Sequence, residues 1–504
     1  MRSLLYVSPA LILSVGSVFV LLAGLWIRSH VTILASTLVT LLAAGWAYLS
    51  MIGRPMQDAF AGLIVFDPFG LFFAVFAVVV VALGILLSAR SHEIKADRRS
   101  EYYSILLALT TGLIFMGISN HLLMAYLALE TVSILSYTLA GFNRERSASV
   151  EASMKYVIYG SMASAMMVFG ISLLFGVTGQ LSMTGLRQFF TTVPADQIPG
   201  LLWVSVLLIF AGFGYKISAA PMHMWTPDVY EGAPTPVSAL FSVAPKAAGI
   251  ALLLRFFITG FTVPSVAGGP AVALGSAAEV SFNIVGNFDW PRFLMISSVF
   301  TMFMGNLAAL SQFSVKRILG YSSIAHAGYM LMGASTQTAS GIQGILFYAV
   351  SYCFMNLGAF WIASKVDDTL GGDHLKHFRG LIQRRPYYAV AMGVFLVSLI
   401  GIPPFAGFFG KFYLFSAVIA REMYGFALLA GLNSAISLYY YAKILKAMFF
   451  EAPEVPMPDG RNAFDSISSH VLVVLFVIPN VALGLWAEPL MKLISHATVF
   501  FTGP

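Results

Sequence analysis

Glu130, Lys216, Lys246, His326 and Lys411 each stand inside a stretch that is otherwise apolar: LLMAYLALETVSILSYTLAGF around the glutamate, GYSSIAHAGYMLMG around the histidine, GIPPFAGFFGKF before and at the last lysine. All five side chains bind and release protons. Burial disfavours a charged lysine and a nearby carboxylate favours it, so a lysine held between the two can exchange a proton near neutral pH. Histidine needs less perturbation. Proximity of Glu130 to Lys216 or Lys246 would then act as a switch: pairing loads the lysine, and separation drives its proton onward.

Placing such groups in a membrane is expensive. An ionised side chain at the centre of a membrane helix costs about 2.5 to 3.5 kcal/mol, so four of them cost on the order of 10 kcal/mol before any partner is found. A buried Glu130–lysine pair that only joins helices is the simpler alternative. Such pairs seldom stabilise more than apolar replacements do. It also leaves two lysines without a carboxylate, because no other acid lies deep in an expected span.

The elements that must position these groups follow from composition. The 504 residues are 59% hydrophobic and 10% charged, whereas a soluble domain is about a quarter charged. Windows of roughly 20 apolar residues, enough to cross about 30 Å of hydrocarbon, recur from end to end. The sequence therefore predicts an all-α polytopic membrane protein. Fourteen spans are expected near 4–27, 32–52, 68–90, 103–119, 121–142, 153–176, 201–222, 236–259, 290–312, 317–335, 341–364, 387–420, 424–450 and 469–493. The stretch 263–289, apolar but rich in Gly, Ala and Pro, reads as a loop.

Charge placement supports that division, because Lys and Arg collect in cytoplasmic loops. Loops after odd-numbered spans hold Arg28, Arg90, Lys95, Arg98, Arg99, Arg144, Arg146, Lys316, Arg317, Lys365, Lys376, Arg379, Arg384, Arg385 and Arg461; loops after even-numbered spans hold Arg54, Arg187, Arg292 and Arg421. Both termini then lie outside the cytoplasm. A crossing within 263–289 would put the later basic loops on the wrong side. The net charge of +6 reflects this bias rather than nucleic-acid binding. Arg255, Lys443, Lys446 and Lys492, near span ends, are expected to reach the headgroups with their long side chains. The single cysteine, Cys353, leaves no internal disulfide and argues against a thiolate metal site. The first apolar run lacks a basic n-region and a small-residue cleavage site, and is expected to be a retained span.

Two expected spans are broken. A helix over 387–420 would be about 50 Å long, far more than a bilayer needs. Pro403 and Pro404 remove backbone donors and break it; Gly401, Gly407 and Gly410 leave room for backbone or water, and Lys411 follows. An earlier segment, GFGYKISAAPMHMWTPDVYEGAPTPVSALFSVAPKAAG, holds Lys216, then Pro221, Pro227, Pro234 and Pro236, then Lys246. Irregular backbone at membrane depth is tolerated only inside protein or beside a wet cavity. Two proline-interrupted spans with lysines, one in each half, suggest two repeats with the pathway at their interface.

ALETVSILSYTLAGF with Arg144 and Arg146 after it, KYVIYGSMASAMMVFGISLLFGVTG, PMHMWTPDVYEGAPTPVSAL, VKRILGYSSIAHAGYMLMG and GIPPFAGFFGKF resemble, in this order, the antiporter-like membrane subunits of respiratory complex I. The resemblance covers about residues 60–450. Within the family it is nearest the N type of NADH-quinone oxidoreductase, counterpart of mitochondrial subunit 2. YSSIAHAGY is N-like, GKF has lysine where M-type relatives have glutamate, and the chain ends after fourteen expected spans with no long lateral amphipathic helix after Trp486.

The resemblance implies two inverted five-helix repeats, each with a discontinuous helix. On that scheme residues 1–100 hold helices one to three, 101–262 the first repeat, 263–289 an extracytoplasmic loop, 290–450 the second repeat, and 451–504 the last loop and helix. It implies a proton relay in which Glu130 is the span-five glutamate, Lys216 the broken-helix lysine, Lys246 the central lysine, His326 the link to the second half and Lys411 the terminal lysine. Lys155, His223, Tyr321, Ser322 and Ser323 are accessory candidates, and Pro221, Pro403 and Pro404 mark the helix breaks. NADH, FMN, iron–sulfur clusters and quinone are expected in partner subunits: an M-like neighbour and small K-, A- and J-like subunits of the bacterial inner membrane.

No Gly-rich phosphate loop, metal cluster or nucleophile triad is evident; His374 and His377 fall in an amphipathic interfacial loop. Two rivals share the resemblance. A sodium/proton antiporter subunit would favour more acidic and carbonyl ligands than one acid among several bases. A membrane subunit of a proton-pumping hydrogenase-type complex, or a purely structural subunit, would be separated by gene neighbourhood.

Overall fold

The computed structural model describes residues 2–27, 29–89, 91–266, 280–286, 288–456, 464 and 467–502. Arg28, Arg90 and Arg461, used above for sidedness, lie outside the described residues, as do 267–279 and 287 of the expected loop. Twenty α-helices account for most of the described chain: α1 Arg2–Ala23, α2 His30–Leu49, α3 Pro68–Ser88, α4 Arg99–Ile118, α5 Leu122–Ala140, α6 Ser147–Thr178, α7 Met183–Thr192, α8 Leu201–Ile217, α9 Thr226–Gly232, α10 Thr235–Leu254, α11 Trp290–Leu310, α12 Val315–Ala334, α13 Ala339–Leu370, α14 Leu375–Phe378, α15 Leu381–Arg384, α16 Pro386–Ile400, α17 Ala406–Ala420, α18 Tyr424–Phe450, α19 Ile467–Leu485 and α20 Glu488–Thr502. Two small antiparallel hairpins complete it, β1 Gln57–Ala59 with β2 Ile64–Phe66 and β3 Thr262–Val266 with β4 Val280–Ile284.

Among the described residues nine helices are long and apolar enough to cross a membrane, or ten when the bent pair α19–α20 is taken as one. The difference from fourteen has physical causes. α8, α16 and α17 are short because the chain breaks at the expected prolines. α12 carries Arg317, serines and His326, but it is buried over nearly its whole length, so its polar groups meet protein and not lipid. The expected span 469–493 is not straight: α19 and α20 meet at 84°, with Glu488 and Pro489 opening the new helix. A short second helix, nearly perpendicular to α19, thus follows Trp486.

Local signals set many helix ends. Asp67 caps α3 through the Gly70 N–H at 2.6 Å, with Pro68 following. Ser314 and Thr338 cap α12 and α13. Gly401 closes α16 with φ of 91°, a left-handed geometry that side chains resist.

Tertiary contacts gather the loops into two sets at opposite ends of the bundle. At one end Lys95 pairs with Glu145, and Arg146 with Glu93 at 3.0 Å. Glu93 also accepts from the Thr235 N–H at 2.6 Å, and Lys316 donates to the Ala233 carbonyl at 3.0 Å. At the other end the Asn120 N–H bonds the Leu63 carbonyl, Met183 N–H the Asn120 carbonyl, and Phe282 N–H the Gln337 carbonyl. These are the loops after odd and even expected spans, respectively. The described ends of the 263–289 stretch belong to the second set, and Thr262 pairs with Ile284. Its described parts, Thr262–Val266 and Val280–Ile284, form a hairpin rather than an irregular loop.

α10 is the axis of the bundle, with every residue buried. Its far end continues as a π-helical turn, Arg255–Thr259. Here one expectation fails: Arg255 does not reach outward but is 0% exposed. Its guanidinium pairs with Asp67 at 2.8 Å, donates to the Gly117 carbonyl at 2.5 Å, and lies over the rings of Phe69 and Phe500. Asp67 lies at the N-cap of α3, just before the expected span rather than deep within it. Lys446 and Lys492 do project outward, and Lys443 is half-buried. Breaking a buried pair leaves an uncompensated charge worth about 3 to 5 kcal/mol. Asp67→Ala is therefore expected to lower the melting temperature and yield of the assembled protein sharply, and the apolar double replacement Asp67→Leu/Arg255→Met to recover most of both.

Candidate functional site: a buried polar line between two broken helices

The first break lies between α8 and α9. Ser218 ends α8 in the left-handed region, and the backbone freed by the interruption is taken up by neighbours. Ala220 N–H donates to Thr301 Oγ1 at 2.9 Å, Ser297 Oγ to the Ala220 carbonyl at 3.3 Å, and Trp225 Nε1 to the Tyr215 carbonyl at 3.0 Å. Lys216, in the last turn of α8, is 1% exposed and donates to Ser133 Oγ of α5 at 3.1 Å. Glu130 lies one turn before Ser133. No ion pair joins it to Lys216 among the described residues, and Glu130 Oε1 is buried without a hydrogen-bond partner. The two groups are adjacent and unpaired.

Lys246, midway along α10, donates to the carbonyl and hydroxyl of Ser323 on α12, at 3.0 and 2.7 Å. One turn further on α12, His326 bridges two tyrosines: Nδ1 is 2.5 Å from Tyr348 Oη and Nε2 3.2 Å from Tyr441 Oη. On one side Ser323, one turn back, holds Lys246; on the other the Tyr329 ring lies 6.1 Å from His326 and 4.8 Å from the Lys411 ammonium. His326 thus stands between the two lysines, in a cage of hydroxyls from α13 and α18.

The second break separates α16 from α17. Lys411 is 6% exposed, and its ammonium donates to the carbonyls of Ile400 at 2.7 Å and Leu399 at 3.3 Å and to Ser434 Oγ at 3.0 Å. Those carbonyls are the unsatisfied C-terminal end of α16, where the helix dipole favours a cation. Tyr329 places its ring 4.8 Å from the ammonium. Ser398 accepts from the Gly407 N–H at 3.1 Å and donates to Asn480 of α19 at 2.8 Å. Gly484 of α19 packs on the break itself; a Cβ there would meet the Phe405 backbone at 2.7 Å. Ile402, Pro403 and Pro404 remain exposed on the surface of the chain.

The family model for the membrane region of NADH:quinone oxidoreductases and Mrp antiporters matches residues 119–278 and 269–437. The chain is 38% identical to the NADH-quinone oxidoreductase subunit N of Anaeromyxobacter sp. (strain Fw109-5), over 100% of this chain and 98% of that one. It belongs to the subunit N family. A second N-type relative, from Sorangium cellulosum (strain So ce56), is 40% identical over 98% and 97% of the two chains. A chain of respiratory complex I from Thermus thermophilus superposes with a TM-score of 0.77 at 30% identity, covering 97% of this chain and 99% of that one. The Mrp complex from Dietzia sp. DQ12-45-1b matches with a TM-score of 0.80 at 20% identity, over 100% and 98%. That likeness shows the fold alone.

Within this N-type chain, Ser323 touches Lys246, while Ser322 is buried beside Tyr441. Tyr321 does not join the line; it is half-buried under Arg317. His223 sits in the first break, and its Nδ1 is buried without a partner. Lys155 is not a simple outward-reaching lysine. It pairs with Glu151 at 2.7 Å and Asp228 at 2.8 Å, and Asp228 with Arg317 at 3.0 Å. Arg317 also holds Glu231 at 2.7 Å, so one charged cluster joins α6, α9 and α12 around a cavity of about 160 Å³.

Sequence reasoning missed Asp228, Glu231, Ser133, Ser434, Tyr348 and Tyr441. Ser133 was findable from its three-residue spacing to Glu130. The tyrosines gave no signal, because their neighbours come from distant segments. Among the described residues no group of three His, Cys, Asp or Glu side chains could hold a metal ion.

Ser323→Ala removes one of two acceptors on Lys246 and keeps the carbonyl. Quinone-reductase turnover of the complex should fall by about tenfold or more, because a hydrogen bond to a charged group is worth about 1.5 to 3 kcal/mol and each 1.4 kcal/mol is a factor of about ten. Ser335→Ala, at the C-cap of the same helix but bonded to the Met332 carbonyl, should leave turnover unchanged; equal loss in both would assign the effect to packing.

Proposed function

We propose that this chain moves protons through the membrane arm of an NADH:quinone oxidoreductase, along the line Glu130, Lys216, Lys246, His326 and Lys411. The observation that carries the reading is the polar bridge at the centre: Lys246 of α10 donates to Ser323, His326 one turn on is held between Tyr348 and Tyr441, and Tyr329 lies between His326 and the Lys411 ammonium. A protein built only for cohesion gains little from this row. The acceptors around each ammonium rise along it, from one hydroxyl at Lys216, to a carbonyl and a hydroxyl at Lys246, to two carbonyls and a hydroxyl at Lys411. A proton is therefore held by more acceptors as it moves toward the second break.

The unpaired neighbours Glu130 and Lys216 supply the switch. Closure of the carboxylate on the ammonium loads the lysine, and its withdrawal leaves Ser133 as the only acceptor among the described residues, which favours transfer toward Lys246. The chain itself carries no redox group in this scheme; NADH, FMN, iron–sulfur clusters and quinone react in partner subunits. Exposed, irregular backbone at Ile402–Pro404 is tolerated at membrane depth only against protein or a wet cavity. A neighbouring antiporter-like subunit of the M type, with small K-, A- and J-like subunits elsewhere, fits that requirement.

We assign fourteen crossings, with the loops after odd-numbered spans in the cytoplasm and both termini outside it, in a bacterial inner membrane. The two repeats are 101–262 and 290–450, each with one broken helix. The placement of one lysine at each break supports this division. A cation/proton antiporter or hydrogenase-type complex remains the rival assembly, and the stronger identity to N-type relatives than to the Mrp chain weighs against it.

Glu130→Ala, Lys216→Ala and Lys246→Ala are each expected to lower proton pumping in membrane vesicles while the complex still assembles. Wild-type pumping in all three would sink the relay. Lys411→Arg keeps the positive charge but hardly deprotonates, and should lose most pumping; full activity would reduce Lys411 to a static charge.

A further inference from the structure

α11 lies against the second half of the relay without supplying a protonatable group to it. It is locked to α12 almost backbone to backbone: Ser298 Oγ donates to the Gly328 carbonyl at 2.7 Å, a Cβ on Gly328 would meet Met302 N at 2.9 Å, and one on Gly305 would meet Ala325 N at 2.5 Å. Small residues permit such close approach between membrane helices. Ala325 immediately precedes His326, so α11 is fixed relative to the imidazole.

Asn306, the residue after Gly305, reaches the other way, to α18. Its side chain is fully buried; Nδ2 donates to the backbone carbonyl and to Oδ1 of Asn433, both at 3.1 Å, and Oδ1 accepts from Tyr440 Oη at 3.0 Å. Asn433 is buried too, its own Nδ2 donating to the Leu429 carbonyl at 3.0 Å. Asn433 and Tyr440 lie two turns apart on one face of α18. Each is followed directly by a contact of the relay: Ser434 Oγ accepts from the Lys411 ammonium at 3.0 Å, and Tyr441 Oη is 3.2 Å from His326 Nε2. Ser434 and Tyr441 therefore share the adjoining face, and any turn of the helix moves both. A rotation of about 20° displaces an atom about 5.5 Å from the helix axis by about 2 Å, enough to break either bond.

Asparagines commonly join membrane helices for cohesion alone. Cohesion would be served by a bond anywhere along α11 and α18. Here the bonds fall on the residues beside the two relay contacts, and they restrain the one motion on which both contacts depend.

On the relay reading above, we propose that Asn306 is a positioning residue: its carboxamide sets the rotation of α18 and so presents Tyr441 to His326 and Ser434 to Lys411 together. One amide outside the line then governs contacts at two of its members.

The test is a double-mutant cycle on the assembled complex, read as quinone-reductase turnover and as protons pumped per electron pair. Asn306→Leu, close in volume, and Tyr440→Phe, which removes one hydroxyl and keeps the ring, should each lower turnover about fivefold. With Tyr441→Phe and Ser434→Ala already in place, neither should cost more than about twofold further. Losses that multiply in full would overturn the proposal and assign Asn306 to packing. Wild-type turnover in the Tyr441→Phe/Ser434→Ala pair would overturn it as well, because Asn306 would then have no relay contact to act through. Should Asn306→Leu fail to assemble, Tyr440→Phe completes the same cycle. The relay is tested separately by the Glu130, Lys216 and Lys246 variants; lost pumping there with fully multiplying losses here would discard Asn306 and keep the relay.

Discussion

In a membrane, a backbone group that leaves a helix has no water to replace its partner, and a charge has no water to solvate it. The second broken helix sets these two liabilities against each other. The end of α16 frees the carbonyls of Leu399 and Ile400, and the ammonium of Lys411 takes both. Either feature alone would be costly; together they form a polar site at membrane depth. The break also explains why α19 approaches so closely, with Gly484 on the Phe405 backbone and Asn480 on Ser398. The first break uses a different device: Thr301, Ser297 and Trp225 absorb its backbone, so Lys216 is left to a single hydroxyl.

Between the breaks the structure needs rigid spacing, and α10 supplies it. Buried along its whole length, it carries Lys246 at its middle and is pinned at its far end by Arg255 on Asp67, which itself caps α3. At its near end the Thr235 N–H is held by Glu93, which also binds Arg146. The helix that presents the central lysine is thus fixed at both ends by ionic contacts of unlike worth. The far pair is desolvated and its loss is severe; the near one is partly exposed and screened.

Much of this was legible beforehand. The broken span at Pro403–Pro404, the five protonatable groups and the membrane-spanning class followed from residue types in apolar runs. The bend before Glu488 was not, because the apolar run continues through Leu485 and only Pro489 hints at a new helix. Arg255 was misread for a general reason: position near a span end predicts an outward side chain only if nothing inside can pair with it, and Asp67 is distant in sequence. The cluster of Lys155, Asp228, Arg317 and Glu231 escaped notice because its members come from three separate segments and look like ordinary end-of-span charges one at a time.

By itself the sequence determined which side chains could carry protons and where helices must stop, since both are local properties: a titratable group in an apolar run, a proline without a donor. Only the tertiary structure decided which of those groups meet. Ser323 comes to Lys246, Tyr348 and Tyr441 to His326, and the freed carbonyls to Lys411 through the packing of helices far apart in the chain. Hydrogen bonds act over about 3 Å, a scale on which sequence distance carries no information until the bundle closes.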